Sequence, residues 1–138
     1  MSIDENKAAP RGFIEAFNRG DLDTCAELCA PDLTYYQPGT PPLGRDAYRG
    51  IGEMFLKAFP DANETIEEQI GEGDRVVTRT TFRGTHRGEL MGIPATNKEV
   101  AVGALVVDRV ANGKIRERRV LFDQLGMLQQ LGVIPTPG

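Results

Sequence analysis

One carboxylate, Asp123, stands where a strand-like pattern runs into a helix-like one. In Lys114-Ile-Arg-Glu-Arg-Arg-Val-Leu-Phe-Asp-Gln-Leu-Gly-Met-Leu-Gln-Gln-Leu-Gly132, residues 114–122 alternate as a strand does. Residues 123–131 then carry Leu125, Leu128 and Leu131 at helical spacing, with Met127 filling in. An acid beside Leu121, Phe122 and Leu125 would have its pKa raised, which suits it to take and return a proton near neutral pH. The same residue fits as the N-cap of the final helix, whose N-terminus favours an anion and lowers a carboxyl pKa. Both roles are open on the residues alone.

Period-two alternation puts Glu117, Arg119, Leu121 and Asp123 on one strand face. If Asp123 faces a pocket, Arg119 does too, and its guanidinium would bind a substrate oxygen or an anion. The alternative is an ion pair of Arg119 with Glu117 or with a neighbouring strand. An arginine that close would also lower the pKa of Asp123.

His86 is the only histidine. It ends the strand expected at 75–86, just before Arg87-Gly-Glu-Leu-Met-Gly92. A histidine there can orient an acid/base or donate to a substrate oxygen, or serve structure alone. A lone histidine builds no metal cluster. Cys25 and Cys29, four apart in a helical pattern beside Leu22, Ala26 and Leu28, read as small hydrophobes on one apolar face. No nucleophile elbow or phosphate loop occurs, and no cofactor or metal is expected.

These residues need elements to hold them. Pro10 suits a first helical turn, with Phe13, Ile14 and Phe17 following at helical spacing; residues 3–9 either extend that helix with a kink or fray. Gly20 ends it, and Asp21 caps a short helix over 22–29. Leu33-Thr-Tyr-Tyr-Gln37 reads as a short strand, closed by the turn-rich segment 38–44. A third helix carries Tyr48, Ile51, Phe55, Ala58 and Phe59 on one side and stops at Pro60. Strands follow near 62–71, 75–86, 97–109 and 114–122, with turns at Gly71-Glu-Gly-Asp74 and Ala111-Asn-Gly113. Helices first and a strand meander afterwards indicate an α+β domain.

The chain has 138 residues, 40% hydrophobic and 26% charged, as expected for one soluble globular domain over 1–138. No repeat, linker or low-complexity tract divides it. No apolar run is long enough to span a membrane, and Met-Ser-Ile-Asp-Glu-Asn-Lys lacks the apolar core of a signal peptide, so a cytoplasmic location is expected. A net charge of −4 gives no general attraction to nucleic acid. The basic run from Arg109 to Arg119 reads as a solvated strand face or a ladder of cross-strand pairs.

Several segments together resemble the SnoaL-like polyketide cyclases, within the nuclear transport factor 2-like fold group. They are Asn18-Arg-Gly-Asp-Leu-Asp23, Ala30-Pro-Asp-Leu-Thr34, Phe59-Pro-Asp61, Gly73-Asp-Arg-Val-Val-Thr-Arg79, Arg83-Gly-Thr-His-Arg-Gly-Glu-Leu-Met-Gly-Ile-Pro94, Asn112-Gly-Lys-Ile115 and Asp123–Gly132. The resemblance runs from roughly Phe13 to Pro135. It implies a strongly curved, mostly antiparallel sheet wrapped around a layer of N-terminal helices, a cone with an internal pocket. It implies a homodimer or homotetramer, and a cofactor-free intramolecular aldol ring closure on a small hydrophobic carbonyl compound. Asp123 matches the family's acid/base position, and His86 falls on its Gly-Thr-His motif. Arg119 stands where many members carry the tryptophan of a Glu-x-Trp pattern, which favours an anionic or hydrogen-bonding ligand over stacked rings.

Candidate pocket walls are Tyr35, Tyr36, Tyr48, Met54, Phe55, Phe59, Phe82, Leu90, Met91, Ile93 and Leu121, apolar groups suited to a flat hydrophobic ligand. The same fold also suits a non-catalytic small-molecule binding protein. An epoxide hydrolase of the limonene type would need an Arg-x-Asp alternation that the expected strands lack. An isomerase of the ketosteroid type would need a second, protonated acid beside a tyrosine, and the sequence places none.

Overall fold

Ser2 and Glu5 start the first helix as a reciprocal pair. The Glu5 amide donates to Ser2 Oγ at 3.1 Å, and the Ser2 amide donates to Glu5 Oε1 at 3.3 Å. The structure, a computed structural model, describes residues 2–136. Met1, Pro137 and Gly138, the ends of the domain expected over 1–138, lie outside the described residues. Helix α1 (Ile3–Asn18) therefore begins a full two turns before Pro10, which sits inside it rather than in its first turn. Proline removes one backbone donor there, while the Asn6 side chain one turn earlier is buried and donates to the Gly73 carbonyl at 3.0 Å.

Gly20, at φ +74°, ends this helix, and Asp21 caps α2 (Leu22–Glu27), accepting from the Thr24 amide at 3.1 Å. Helix α2 stops two residues sooner than its spacing predicts. Cys29 consequently leaves the helix and opens strand β1 (Cys29–Tyr36), so the two cysteines do not share one helical face. Both are nonetheless buried and free, as small hydrophobes. After β1 come α3 (Arg45–Ala58), β2 (Asn63–Glu72), β3 (Arg75–Thr85), β4 (Glu99–Ala111), β5 (Lys114–Phe122) and α4 (Gln124–Gln130).

The strands form one sheet in the order β1-β5-β4-β3-β2. The β2-β3-β4-β5 meander is antiparallel, as its turns predict, whereas β1 joins β5 in parallel and makes the sheet mixed. The strong curl expected of the sheet is not what forms. β1 and β2 remain opposite edges of an open sheet, because the N-terminal helices, rather than a far sheet edge, cover its apolar face. α1 lies along β2, β3 and β4, and α3 packs on β1.

The inner face carries Val76, Thr78, Thr80 and Phe82 from β3, and Val100, Val102, Ala104, Val106, Asp108 and Val110 from β4. On β5 the alternation breaks. Val110 pairs with Ile115 but Arg109 pairs with Glu117, so Arg116 is the extra residue of a β-bulge. Ile115 faces inward before the bulge, and Arg118, Val120 and Phe122 face inward after it.

Candidate active site

Between the helices and the inner sheet face lies a cavity of about 290 Å³. Its sheet side is built from Phe82, Ala104, Val106, Arg118, Val120 and Phe122, and its helix side includes Phe13, Phe17, Leu22 and Phe55. The lining is mainly apolar with a few polar side chains at fixed places, the usual make-up of a small-molecule site.

Arg118 is the buried cation of that cavity. Its Nε and Nη2 donate to the two carboxylate oxygens of Asp108 at 2.7 and 2.9 Å, and Nη1 donates to the Tyr48 hydroxyl at 3.1 Å. The guanidinium lies 4.2 Å above the Phe13 ring. Tyr48 is stacked between Phe13, at 5.8 Å, and Tyr35, at 4.1 Å. Burial works against the charge of Arg118, but Asp108 and then Tyr48 hold it protonated well above the ordinary arginine value. Three of the guanidinium's five N–H groups are committed in this way, leaving capacity toward a ligand oxygen. Burial pushes the Tyr35 phenol up to about 12 and raises Tyr48 further, so both keep their hydroxyl protons, that of Tyr35 being donated to Gln37 Oε1 at 2.6 Å.

Among the described residues, Glu64, on β2, is the one carboxylate of the lining. Its backbone is clamped by Asn18 of α1: the Glu64 amide donates to Asn18 Oδ1 at 2.7 Å, and its carbonyl accepts from Asn18 Nδ2 at 2.9 Å. Among the described residues no hydrogen bond reaches its carboxyl. Burial raises its pKa above the usual carboxylate range, and the Arg118 charge pulls it back only in part.

The residues nominated from sequence divide sharply. Tyr35, Tyr48, Phe55, Phe82, Met54 and Met91 line the cavity. Phe59 does not: it is fully buried beside it, its ring against Phe82 and His86 and its Cβ 3.0 Å from where a side chain on Gly84 would begin. Tyr36, Leu90 and Ile93 are likewise absent from the lining. Glu117, Arg119, Leu121 and Asp123 do share a face, but it is the outer one, because the β5 bulge fixes the opposite set inward. Leu121 is 59% exposed. Arg119 donates to Glu117 Oε1 at 3.4 Å and lies 4.0 Å over the Tyr36 ring, so its charge is outside the cavity.

Asp123 is exposed and caps α4, accepting from the Gly126 amide at 2.9 Å. A side chain on Gly126 would collide with that carboxylate, so the glycine makes room for the cap. Neighbours Phe122 and Gln124 line the cavity, whereas Asp123 is not among the lining residues. His86 is fully buried away from the cavity. Its Nδ1 accepts from the Thr96 amide at 3.1 Å, and its backbone bonds Lys98 and Asn97, tying together the ends of the long β3–β4 loop. Among the described residues, no group of three or more His, Cys, Asp and Glu is placed to hold a metal.

Three residues that set the charge of the cavity were not nominated from sequence: Arg118 and Glu64 in its lining, and Asp108, which holds Arg118. Asp108 interrupts the apolar series Val102, Ala104, Val106, Val110, the mark of a buried acid that needs a partner. Arg118 alternates with Val120 and Phe122. Glu64 alternates with Ala62 and Ile66 inside an otherwise polar strand.

Comparison with known proteins agrees with this architecture. The family described as SnoaL-like polyketide cyclase matches residues 7–131. The aklanonic acid methyl ester cyclase DnrD of Streptomyces peucetius is 34% identical, over 92% of this chain and 91% of its own. Among solved structures, AclR of Streptomyces galilaeus superposes with a TM-score of 0.91 at 30% identity, covering 99% of this chain and 87% of AclR. IdmH of Streptomyces antibioticus gives 0.84 at 37% identity, covering 92% and 98%. With the family matched over residues 7–131 and a relative 34% identical along nearly its full length, this chain belongs to the SnoaL-like polyketide cyclase family.

Proposed function

We propose that the protein closes a carbocycle by intramolecular aldol addition on a polyketide ester, by acid/base chemistry. The observation that carries this reading is the cavity: an apolar chamber holding a buried cation, two phenols and one carboxylate that is unpaired among the described residues. Aldol ring closure asks for such a set. A base removes a proton α to a carbonyl, and the resulting enolate needs a cation or hydroxyl donor at its oxygen. The enolate carbon attacks a second carbonyl carbon, a C–C bond replaces the C=O π bond, and the alkoxide takes the proton. DnrD, named for ring closure of aklanonic acid methyl ester, matches over nearly its whole length and supports the same reaction class.

The product of such a reaction is an isomer of its substrate. Incubation with aklanonic acid methyl ester, followed by chromatography and mass spectrometry, should give a new species of unchanged mass. Recovery of the ester alone, bound but unaltered, would instead establish a small-molecule binding protein. A second reading rests on the superposition with AclR, a candidate hydroxylase. A product heavier by one oxygen would identify that reaction and end the cyclase reading.

A further inference from the structure

We propose that Glu64 is the proton carrier of the cavity, taking the α-proton of the substrate and returning it to the new alkoxide. The proposal rests on the acid/base reading of the site and goes beyond it by naming the residue.

Position is the first argument. Of the carboxylates near the cavity, Asp108 is spent on Arg118, Asp21 caps α2 and Asp123 caps α4. Glu64 alone both lines the cavity and keeps its carboxyl free of hydrogen bonds among the described residues. A base must reach its proton directly, and a carboxylate outside the chamber cannot do so.

Rigidity is the second. β2 is an edge strand, and an edge leaves one row of backbone groups without a neighbouring strand. At Glu64 the carboxamide of Asn18 takes the place of that missing strand, satisfying both amide and carbonyl, while Phe82 is the register partner on the other side. The α-carbon of Glu64 is thereby tied to helix α1 and to the sheet at once, which fixes where its side chain enters the cavity.

The surroundings are the third. The other titratable or charged groups on the wall are Arg118 from β5, Cys25 from α2, Cys29 and Tyr35 from β1, and Tyr48, Arg45 and Arg49 from α3. Burial raises both thiols and both phenols, so they stay protonated and neutral through the neutral range. The arginines stay charged. Glu64 is left as the carboxyl of that wall, with burial holding its proton more tightly than in an ordinary glutamate. Arg118 meanwhile supplies a cation for the enolate oxygen. The step balances: Glu64 gains the C–H proton, the enolate carbon bonds the second carbonyl carbon, and the alkoxide receives the proton from Glu64.

The test compares wild type, Glu64→Gln and Asp123→Asn, using aklanonic acid methyl ester as probe. Glu64→Gln should stay folded by circular dichroism, bind the ester, and lose turnover by about a hundred-fold or more. The limb of the wild-type kcat/KM profile that reports a carboxyl should vanish with it. Asp123→Asn should keep turnover within a few-fold. Undiminished turnover in Glu64→Gln, or loss confined to folded Asp123→Asn, overturns the proposal. If wild type leaves the ester unchanged, the cyclase reading fails for that probe, and carboxyl-labelled glutamate NMR decides on Glu64 separately. One resonance, absent from Glu64→Gln, should titrate above the ordinary glutamate range and shift when the ester is added. Absence of such a resonance overturns the proposal on its own.

Discussion

Asp108 and Arg118 are direct register partners on β4 and β5, and the carboxylate accepts from Nε at 2.7 Å and Nη2 at 2.9 Å of the same guanidinium. The pair is almost wholly buried, with side chains 0% and 3% exposed. Two parallel bonds fix the plane of the guanidinium, and the plane fixes which N–H groups face the cavity.

Breaking this pair from one side should be costly. Asp108→Asn leaves a buried cation without its counter-charge, and such losses run to about 3–5 kcal/mol. Urea unfolding of Asp108→Asn should show that drop, whereas the double replacement Asp108→Leu with Arg118→Met should recover much of it. Equal destabilisation in the single and double variants would contradict the assignment.

Tyr48→Phe should be much milder. It removes the hydroxyl that accepts from Arg118 at 3.1 Å and leaves the Phe13–Tyr48–Tyr35 stack in place. A loss of about 1 kcal/mol in unfolding free energy is expected.

Glu64 makes stability depend on pH in a definite direction. Its folded pKa lies above the ordinary 4.5, so between those two values the native state keeps a proton that the unfolded chain has released. Its contribution is therefore full below about pH 4.5 and is lost as pH rises through the folded value. Thermal unfolding across that window should show a falling component in wild type that Glu64→Gln lacks.

Asp123→Ala should cost about 0.5–2 kcal/mol of stability by removing the cap of α4, and Asp123→Asn should cost little because asparagine caps nearly as well. Identical losses in the two would argue against a capping role.

The thiols offer a probe that needs no variant. Burial pushes Cys25 up to about 12 and raises Cys29, so neither supplies much thiolate near neutrality. Alkylation with iodoacetamide should be slow in the native protein and fast in urea. Rapid native labelling would show that α2 and β1 open readily.

The strand meander, the helix order and the cap at Asp21 could be read from sequence because each depends on local periodicity or a local turn. What escaped depends on distant partners. Nothing near Tyr35 announces that β1 will run parallel to β5. Counting back by two from Asp123 correctly groups Glu117, Arg119 and Leu121. The face they occupy is set by the bulge opposite Arg109 and Val110, a property of two strands rather than of one. Arg118 and Arg119 are adjacent and chemically identical, and that single extra residue separates the cavity cation from the surface one. Glu64 was hidden because its strand looks solvated, and only the helix folded over it makes its environment apolar.

The parallel pairing of β1 with β5 also has a consequence for how the protein is made. β1 emerges early from the ribosome, yet its one strand neighbour among the described residues is the last strand to be synthesised. Until β5 appears, the edge of β1 that faces it lacks its neighbour, and unpaired edges are where nascent chains associate wrongly. The floor of the cavity, with Arg118, Val120 and Phe122, arrives in the same final stretch. Completion of the sheet and of the cavity are thus one late event in the life of the nascent chain, and a product cut short before Lys114 would hold neither.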